Sequence, residues 1–356
     1  MGYFQEVLAT FGTEFWVNNP SGPELQRALA MGAVGVASNP AYGAALLKSE
    51  PEFICATIEA LVRESSSTNV ELKDELLAMR VLQNVVSRAT PLFHPLFKRS
   101  EGHFGYVAIQ GNPRRNGDLS TILQEAETFR RLGENIIIKV PATIVGAQAM
   151  EELTARGWPT IGTMCFAVDQ YIYLAEAHRR GLRRTKTSPR CLITMLPGIF
   201  DEYLAENAAR RGVTILPETL RCAGIATAKA TYAVRRQRGY EAIILCGGAR
   251  STSHWTELVG RDMAITLSGS LAERLLSEHP PAVSRIEESA AVEAIAELRQ
   301  KFPDFVRACD EGMLRPEEFC VYGPVVRFQN TFLSAFGALV GEIQSLRNSA
   351  RSACAC

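Results

Sequence analysis

Short apolar runs rich in β-branched residues alternate with helical stretches along most of this chain. Apolar runs of this length are typical of strands buried on both faces, as in parallel sheets. Glycine, proline or asparagine follows most of them, and they are spaced mostly roughly 20 to 30 residues apart, which predicts an α/β fold with a closed (β/α)8 TIM barrel. The eight runs are 14–17, 33–38, 105–110, 136–140, 160–166, 191–196, 242–246 and 263–268.

An open, doubly wound sheet fits the pattern less well. Such a sheet would use fewer strands and would need a glycine-rich turn after the first, whereas the chain reads EFWVNNPSGP there. We therefore predict a barrel over residues 1–280 with a helical insertion at about 43–100, broken by a loop at Ser65–Asn69. Residues 281–356 are predicted to be a helical extension packed on the barrel, with its mouth as one candidate position. We expect the last few residues to lack fixed structure.

One lysine interrupts the fourth apolar run. The stretch 134–143 reads ENIIIKVPAT and places Lys139 near the C-terminal end of the strand, where barrels of this kind keep their active sites. Burial disfavours an ammonium and lowers its pKa, which produces a neutral nucleophile near pH 7. Alternatively, Lys139 extends from the strand end into solvent or pairs with a carboxylate.

The other polar residues at the predicted strand ends are mostly neutral hydrogen-bonding groups. Together with Lys139, this set suits a carbonyl substrate held as a Schiff base, with an anion or oxyanion near the arginine. It does not suit a metal, because the five histidines are scattered without ligand spacing. The set is Asn18, Ser38, Asn39, Gln110, Lys139, Thr163, Thr194, Arg250 and Ser268.

Charge and cysteine content indicate which partners and which cellular compartment to expect. Lys plus Arg equals Asp plus Glu at 38 each, so nothing favours nucleic acid or an anionic membrane surface. No apolar run is long enough to span a bilayer, and the nine cysteines are scattered, which favours reduced thiols. We expect a soluble, cytoplasmic protein without cofactor or metal that acts on a small-molecule carbonyl or sugar, with a homo-oligomer as one arrangement.

The order of motifs resembles the transaldolases and the related fructose-6-phosphate aldolases. The motifs are EFWVNNPSGPELQRAL, VGVASNP, IIIKVPAT, TIGTMCF and GGAR. The resemblance implies a barrel of the class I aldolase type, in which Lys139 forms a Schiff base with a ketose, cleaves it by a retro-aldol step and carries a dihydroxyacetone unit to an aldehyde. It further implies that Asn39 binds donor hydroxyls, Thr163 helps hold the catalytic water and Arg250 binds the phosphate end.

Several positions depart from that family pattern. Asn18 stands where the family has a proton-transferring aspartate, and Gln110 stands where transaldolases have a glutamate, although the fructose-6-phosphate aldolases also use glutamine. Ile161 replaces an asparagine, and Ile199 replaces an arginine that would hold phosphate. An amide cannot act as a carboxylate base. We therefore predict a weak preference for phosphorylated substrates.

His254 is a candidate acid or base, because it follows the seventh strand near the predicted mouth and histidine titrates near neutral pH. The alternative is an ordinary surface-loop histidine. The predicted catalytic residues are thus Lys139, Thr163, Gln110 and Asn18, and the predicted substrate-binding residues are Asn39, Ser38, Thr194, Arg250 and Ser268.

The favoured hypothesis is a transaldolase-like enzyme that makes or breaks a carbon–carbon bond of a hydroxylated ketone or sugar. One alternative is a Schiff-base enzyme with a different outcome, such as a dehydratase or an aldolase with an unusual donor. Another is a binding or regulatory protein that kept the barrel. The apolar setting of Lys139 argues against the last, since a surface binder has no use for a lysine there.

Overall fold

Eight strands close into a barrel in which each strand pairs in parallel with the next along the chain, and the first pairs with the eighth. The computed structural model describes residues 2–67 and 72–354. The predicted (β/α)8 barrel is confirmed. The strands are β1 (Glu14–Asn18), β2 (Gly35–Ala37), β3 (Tyr106–Gln110), β4 (Ile136–Pro141), β5 (Thr160–Cys165), β6 (Cys191–Met195), β7 (Ile243–Cys246) and β8 (Met263–Leu267).

Helices surround the barrel, and additional helices lie before β1, between β2 and β3, and near the C-terminal end after β8. Before β3 they are α1 (Tyr3–Phe11), α2 (Gly22–Met31), α3 (Tyr42–Ser49), α4 (Pro51–Ser67), α5 (Asp74–Ser87) and α6 (Thr90–Arg99). After β3 they are α7 (Leu119–Arg130), α8 (Ile144–Ala155), α9 (Val168–Leu182), α10 (Pro197–Arg211), α11 (Pro217–Leu220), α12 (Cys222–Arg238), α13 (Ser253–Thr256), α14 (Gly269–Glu278), α15 (Val292–Lys301), α16 (Pro303–Cys309) and α17 (Gly323–Cys354), with 3₁₀ turns at Pro113–Arg115 and Pro316–Val321.

Side chains in the barrel interior form layers, because successive residues of a strand point to opposite faces. A lower layer is entirely apolar or aromatic and includes Trp16, Ala108, Ile137, Ile161, Leu192, Leu245 and Ala264. Two residues further along six of the strands, the same face carries a polar layer at the C-terminal end of the barrel. That layer is formed by Asn18, Gln110, Lys139, Thr163, Thr194 and Thr266.

The N-termini of several helices are capped by side chains just after a strand. The Thr143 hydroxyl accepts from the Gly146 amide at 3.0 Å and caps α8. The Ser268 hydroxyl accepts from Leu271 N at 3.2 Å and caps α14. A side-chain acceptor at this position satisfies an amide that the helix itself leaves unpaired. The turns that follow β4 and β8 are therefore short.

The insertion between β2 and β3 is helical as expected, and α3 to α6 occupy it. One detail differs from the prediction, because α4 continues to Ser67 although a loop was expected from Ser65. Thr68 and Asn69, the rest of that predicted loop, lie outside the described residues.

The C-terminal extension ends in the long helix α17, which connects the insertion with the barrel. Its buried residues Phe336, Leu339, Val340 and Ile343 join the main hydrophobic core. A methyl group on Gly43 of α3 would meet Leu339 at 2.7 Å, so the two helices are in close contact. The helix continues to Cys354, and residues 355–356 lie outside the described part.

The N-terminal helix α1 was not predicted from the sequence. Phe4 stacks on Phe15 with 4.4 Å between ring centroids and meets Trp255 edge-on at 4.9 Å. Nine residues are a short window for helical periodicity. The contacts that stabilise α1 are made with residues distant in sequence.

Candidate active site

A narrow cavity of about 100 Å³ lies at the C-terminal ends of the strands. Six of the predicted site residues line it, so the closed barrel brings together positions from six strands or the turns that follow them. Gln110 lies in the same layer but does not line the cavity. The six residues are Asn18, Asn39, Lys139, Thr163, Thr194 and Arg250.

Lys139 is buried, with 8% of its surface exposed. Desolvation lowers the pKa of its ammonium from 10.5 to about 8. Its Nζ donates to the Ser38 carbonyl oxygen at 2.9 Å. Within residues 2–67 and 72–354, no carboxylate lies within ion-pair distance of Nζ. The structural alternative, a lysine that pairs with a carboxylate or reaches solvent, therefore does not describe this side chain.

Ser38 and Asn39 follow β2 and have different surroundings. The Ser38 hydroxyl donates to the Ala108 carbonyl at 2.5 Å, so Ser38 offers its backbone oxygen to Lys139 and its side chain to the barrel wall. The side-chain oxygen of Asn39, Oδ1, accepts from Asn19 Nδ2 at 3.1 Å and from Ala41 N at 3.0 Å. These contacts fix the Asn39 amide at the edge of the cavity.

Gln110 and Thr194 are buried polar residues whose side-chain polar atoms have no partner among the described residues. Gln110 pairs with Lys139 across β3 and β4, which puts it beside the lysine in the sheet. An unsatisfied buried polar group costs about 1–3 kcal/mol. Such groups in this layer are suited to bind a substrate hydroxyl or an ordered water.

Arg250 lies at the rim, half exposed, and its Nε donates to Glu202 at 2.5 Å. A wider cleft of about 370 Å³ shares Asn18, Arg250 and Thr266 with the inner cavity and also includes Ser268. Ser268 thus lies in the outer cleft and caps α14, outside the inner cavity. The cleft gives the inner cavity an opening toward β8 and β1.

His254 does not reach the cavity. Its ring is 1% exposed, and Nδ1 accepts from the Arg250 amide at 3.0 Å. Nε2 lies 2.9 Å from the Asp201 carboxylate, whose pKa is raised by burial. Both ring nitrogens are therefore engaged, which argues against the acid–base role considered from the sequence. The imidazole and Asp201 instead hold the turn that carries Arg250.

Two phenylalanines of α17 cover the cavity, and sequence reasoning missed both. Phe328 and Phe332 line it, with 4.4 Å between their ring centroids. Their spacing of four residues places both rings on one helix face. That spacing was a readable signal, but no local pattern indicated which surface the face would cover.

Thr266 and Glu125 were also missed. Thr266 lines the cavity and could have been found by counting two residues from Ala264 along β8. Glu125 of α7 accepts from the Asn112 amide at 3.1 Å, just beyond β3. Burial raises the pKa of this carboxyl to about 7. It does not line the cavity.

The described residues contain no cluster of three or more His, Cys, Asp or Glu arranged to hold a metal ion. None of the helices in residues 2–67 and 72–354 combines the length and apolar character needed to cross a membrane.

Comparison with known proteins gives one family. The family model described as Transaldolase/Fructose-6-phosphate aldolase matches residues 16–309. A transaldolase of Thiobacillus denitrificans is 29% identical over 243 residues, which cover 63% of this chain and 65% of the relative. A protein named Transaldolase 2 from Nostoc punctiforme is 29% identical over 185 residues, covering 50% and 47%. The matches thus span about half to two thirds of the relatives' length.

Proposed function

Because the chain belongs to the transaldolase/fructose-6-phosphate aldolase family, we propose that it makes and breaks carbon–carbon bonds by aldol chemistry, with Lys139 as the Schiff-base nucleophile. The observation that carries the proposal is the state of this lysine. Its amine is buried, has a pKa of about 8, and faces a cavity without a carboxylate partner. Such an amine is partly neutral at physiological pH, as attack on a carbonyl requires.

The reaction begins when the neutral amine attacks the ketone carbon and water leaves, giving a protonated imine. The protonated imine accepts the electrons of the bond between its α- and β-carbons while water takes the proton of the β-hydroxyl, so an aldehyde departs and an enamine remains on Lys139. Attack of the enamine on a second aldehyde, or its protonation, followed by hydrolysis, restores the amine. Transfer of a dihydroxyacetone unit is the first of these outcomes, and cleavage alone is the second.

The surrounding polar residues receive roles that fit their positions. Asn39 and Thr194 bind hydroxyls of the ketone, and Thr163 holds the water that enters and leaves. Ser38 orients the Lys139 amine through its backbone oxygen, and Gln110 binds an ordered water beside the lysine from outside the cavity lining. Arg250 and Ser268 line the outer cleft through which the substrate enters. Asn18 orients a hydroxyl or a water by hydrogen bonding, because an amide cannot take a proton at neutral pH.

A second candidate reaction uses the same lysine as nucleophile. No carboxylate lines the inner cavity within the described residues, so proton transfer depends on water. The candidates are dehydration of a β-hydroxyketone, in which water takes a proton from the α-carbon and the protonated β-hydroxyl leaves as water, and an aldol step with an unusual donor. Product identity separates these outcomes, since dehydration keeps every carbon of the substrate in one molecule.

Reductive trapping tests the proposal. The protein is incubated with dihydroxyacetone, hydroxyacetone or fructose 6-phosphate and sodium borohydride, digested, and examined for added mass at Lys139. Lys229→Met serves as the matched control, because Lys229 is equally buried but pairs with Glu257 at 3.4 Å. We expect an adduct at Lys139 in the wild type and in Lys229→Met, and none in Lys139→Met. Absence of an adduct with every ketone would refute the proposal.

A further inference from the structure

One side of the inner cavity is apolar and is built from two distant parts of the chain. We define the apolar wall as Leu196 and Ile199, which follow β6, together with Phe328 and Phe332 of α17. All four line the cavity that contains Lys139. Leu196, Ile199 and Phe332 are 5%, 4% and 2% exposed.

The apolar wall is a firm surface. Its residues belong to a hydrophobic cluster that includes Phe166, which meets Phe328 at 6.1 Å between ring centroids, nearly edge-on. Side chains packed in such a cluster have little freedom to turn away. A polar group placed against the apolar wall would lose its hydrogen bonds to water without replacement.

Asn39 lies on the other side of the lysine from Leu196 and Ile199. Lys139 Nζ is directed toward the end of β2 by its hydrogen bond to Ser38, and Asn39 follows on the same turn. In a closed barrel of eight strands β2 lies opposite β6, and β4 lies midway between them. Lys139 therefore lies between the Asn39 side of the cavity, which we call the polar half, and the apolar wall, while Thr163 and Thr194 line the cavity from β5 and β6.

Charge at the rim is already compensated. Glu202 accepts from Arg250 at 2.5 Å and also lies 3.4 Å from Arg327. The Arg250 guanidinium therefore has an anionic partner within the protein. A phosphate would have to compete with this carboxylate for the arginine.

From these four observations we infer that the aldehyde partner of the reaction is unphosphorylated and carries an alkyl or aryl group that packs on the apolar wall. The inference rests on the proposed function. The ketone occupies the polar half, and the aldehyde carbon lies between Lys139 and the apolar wall. In the synthetic direction the enamine carbon bonds to the aldehyde carbon, the aldehyde oxygen takes a proton, and water then releases the β-hydroxyketone from Lys139.

The size of the cavity limits the group. Its volume of about 100 Å³ is well below the roughly 300–1,000 Å³ of pockets for drug-sized ligands. A short chain or a single ring fits this space better than an extended sugar phosphate. Each methylene buried against such a surface improves kcat/KM by roughly threefold to fourfold.

The test compares aldehydes with dihydroxyacetone as the common donor. Butanal and benzaldehyde are measured against glyceraldehyde and glyceraldehyde 3-phosphate, and the ratio of kcat/KM values is the readout. We expect a ratio of at least tenfold in favour of the apolar aldehydes. A ratio is independent of the fraction of folded protein, so it can be compared between variants.

Three variants locate the preference. Phe328→Ser should lower the ratio about tenfold, Phe332→Leu should keep it within threefold because the surface stays apolar, and the half-exposed Val326→Ser on the same helix should leave it unchanged. Preference for glyceraldehyde 3-phosphate, or a ratio that Phe328→Ser does not change, would overturn the inference. Trapping of dihydroxyacetone at Lys139 without turnover of any apolar aldehyde would also overturn it while leaving the Schiff base intact. Failure of trapping itself would overturn both.

Discussion

Lys139 combines an unfavourable contribution to stability with a proposed chemical role. A pKa lowered from 10.5 to about 8 means that the folded protein disfavours the ammonium relative to the unfolded chain. The penalty for burying the charge is absent above about pH 10.5, where the lysine is neutral in both the folded and the unfolded chain. It is fully present below about pH 8, where the lysine is charged in both. At neutral pH the side chain is therefore a net cost to folding.

Replacement of this lysine should stabilise the fold. Lys139→Met keeps the apolar stem and removes the buried charge, so we expect the free energy of unfolding at pH 7 to rise by about 2 kcal/mol, after loss of the hydrogen bond to Ser38. Denaturant unfolding at pH 7 and pH 10 measures this. The gain should shrink at the higher pH, and an equal gain at both would contradict the electrostatic explanation.

The same pKa predicts the pH dependence of trapping. The rate of adduct formation at Lys139 should rise with pH and reach half of its maximum near pH 8, because only the neutral amine attacks a carbonyl. Mass spectrometry of the digested protein at a series of pH values gives the curve. A midpoint near the ordinary lysine value of 10.5 would mean that the amine is solvated in solution.

The turn after β7 depends on a buried histidine. Removal of the His254 ring leaves the Asp201 carboxylate and the Arg250 amide without their partner. We expect His254→Leu to lower the free energy of unfolding by about 3 kcal/mol, since one partner of a buried pair is removed. Ser251→Ala is the control, because the Ser251 hydroxyl lies 3.5 Å from the ring, and it should change stability by less than about 0.5 kcal/mol.

Helix α17 is held by a buried seam against the insertion. Leu339 is 0% exposed and packs on Gly43 and Leu82. Leu339→Ala should lower the free energy of unfolding by about 3 kcal/mol, through lost burial and the cavity left behind. Thermal unfolding compared with Val326→Ala, whose side chain is 40% exposed, checks this. Equal effects of the two substitutions would mean that the seam does not contribute to stability.

Two titratable groups, Glu125 on α7 and His178 on α9, give the molecule opposing pH dependences. Burial lowers the pKa of His178 from 6.5 to about 4, so its contribution to stability is lost as pH falls between these values. Burial raises the pKa of Glu125 from 4.5 to about 7, so its contribution is lost as pH rises between them. Between about pH 4.5 and 6.5 the two slopes partly cancel.

Single substitutions should reveal each slope. Relative to the wild type, Glu125→Gln should become more stabilising as pH rises from 4.5 to 7, by up to about 2 kcal/mol. His178→Gln should become relatively more stable as pH falls from 6.5 to 4. Denaturant unfolding across this range measures both differences. Parallel curves for the wild type and either variant would show that the group concerned titrates alike in folded and unfolded chains.

The sequence by itself determined the barrel and identified Lys139. Each β-strand is recognisable within four to seven residues, as in runs 14–17 and 160–166, because an apolar, β-branched run with a terminal glycine, proline or asparagine is a local property. A lysine inside such a run is equally local. The same counting along strands would have found Thr266, since the side-chain alternation from Ala264 is strict.

Only the tertiary structure decided what surrounds the lysine. His254 looked available for proton transfer in its own loop, and its burial against Asp201 depends on a helix from another strand connection. Phe328 and Phe332 form an apolar helix face, but only the seam at Leu339 determines that this face covers the barrel mouth. Hydrophobic burial is non-directional. An apolar helix face therefore predicts that some surface will cover it, but which surface does so depends on how the whole chain packs.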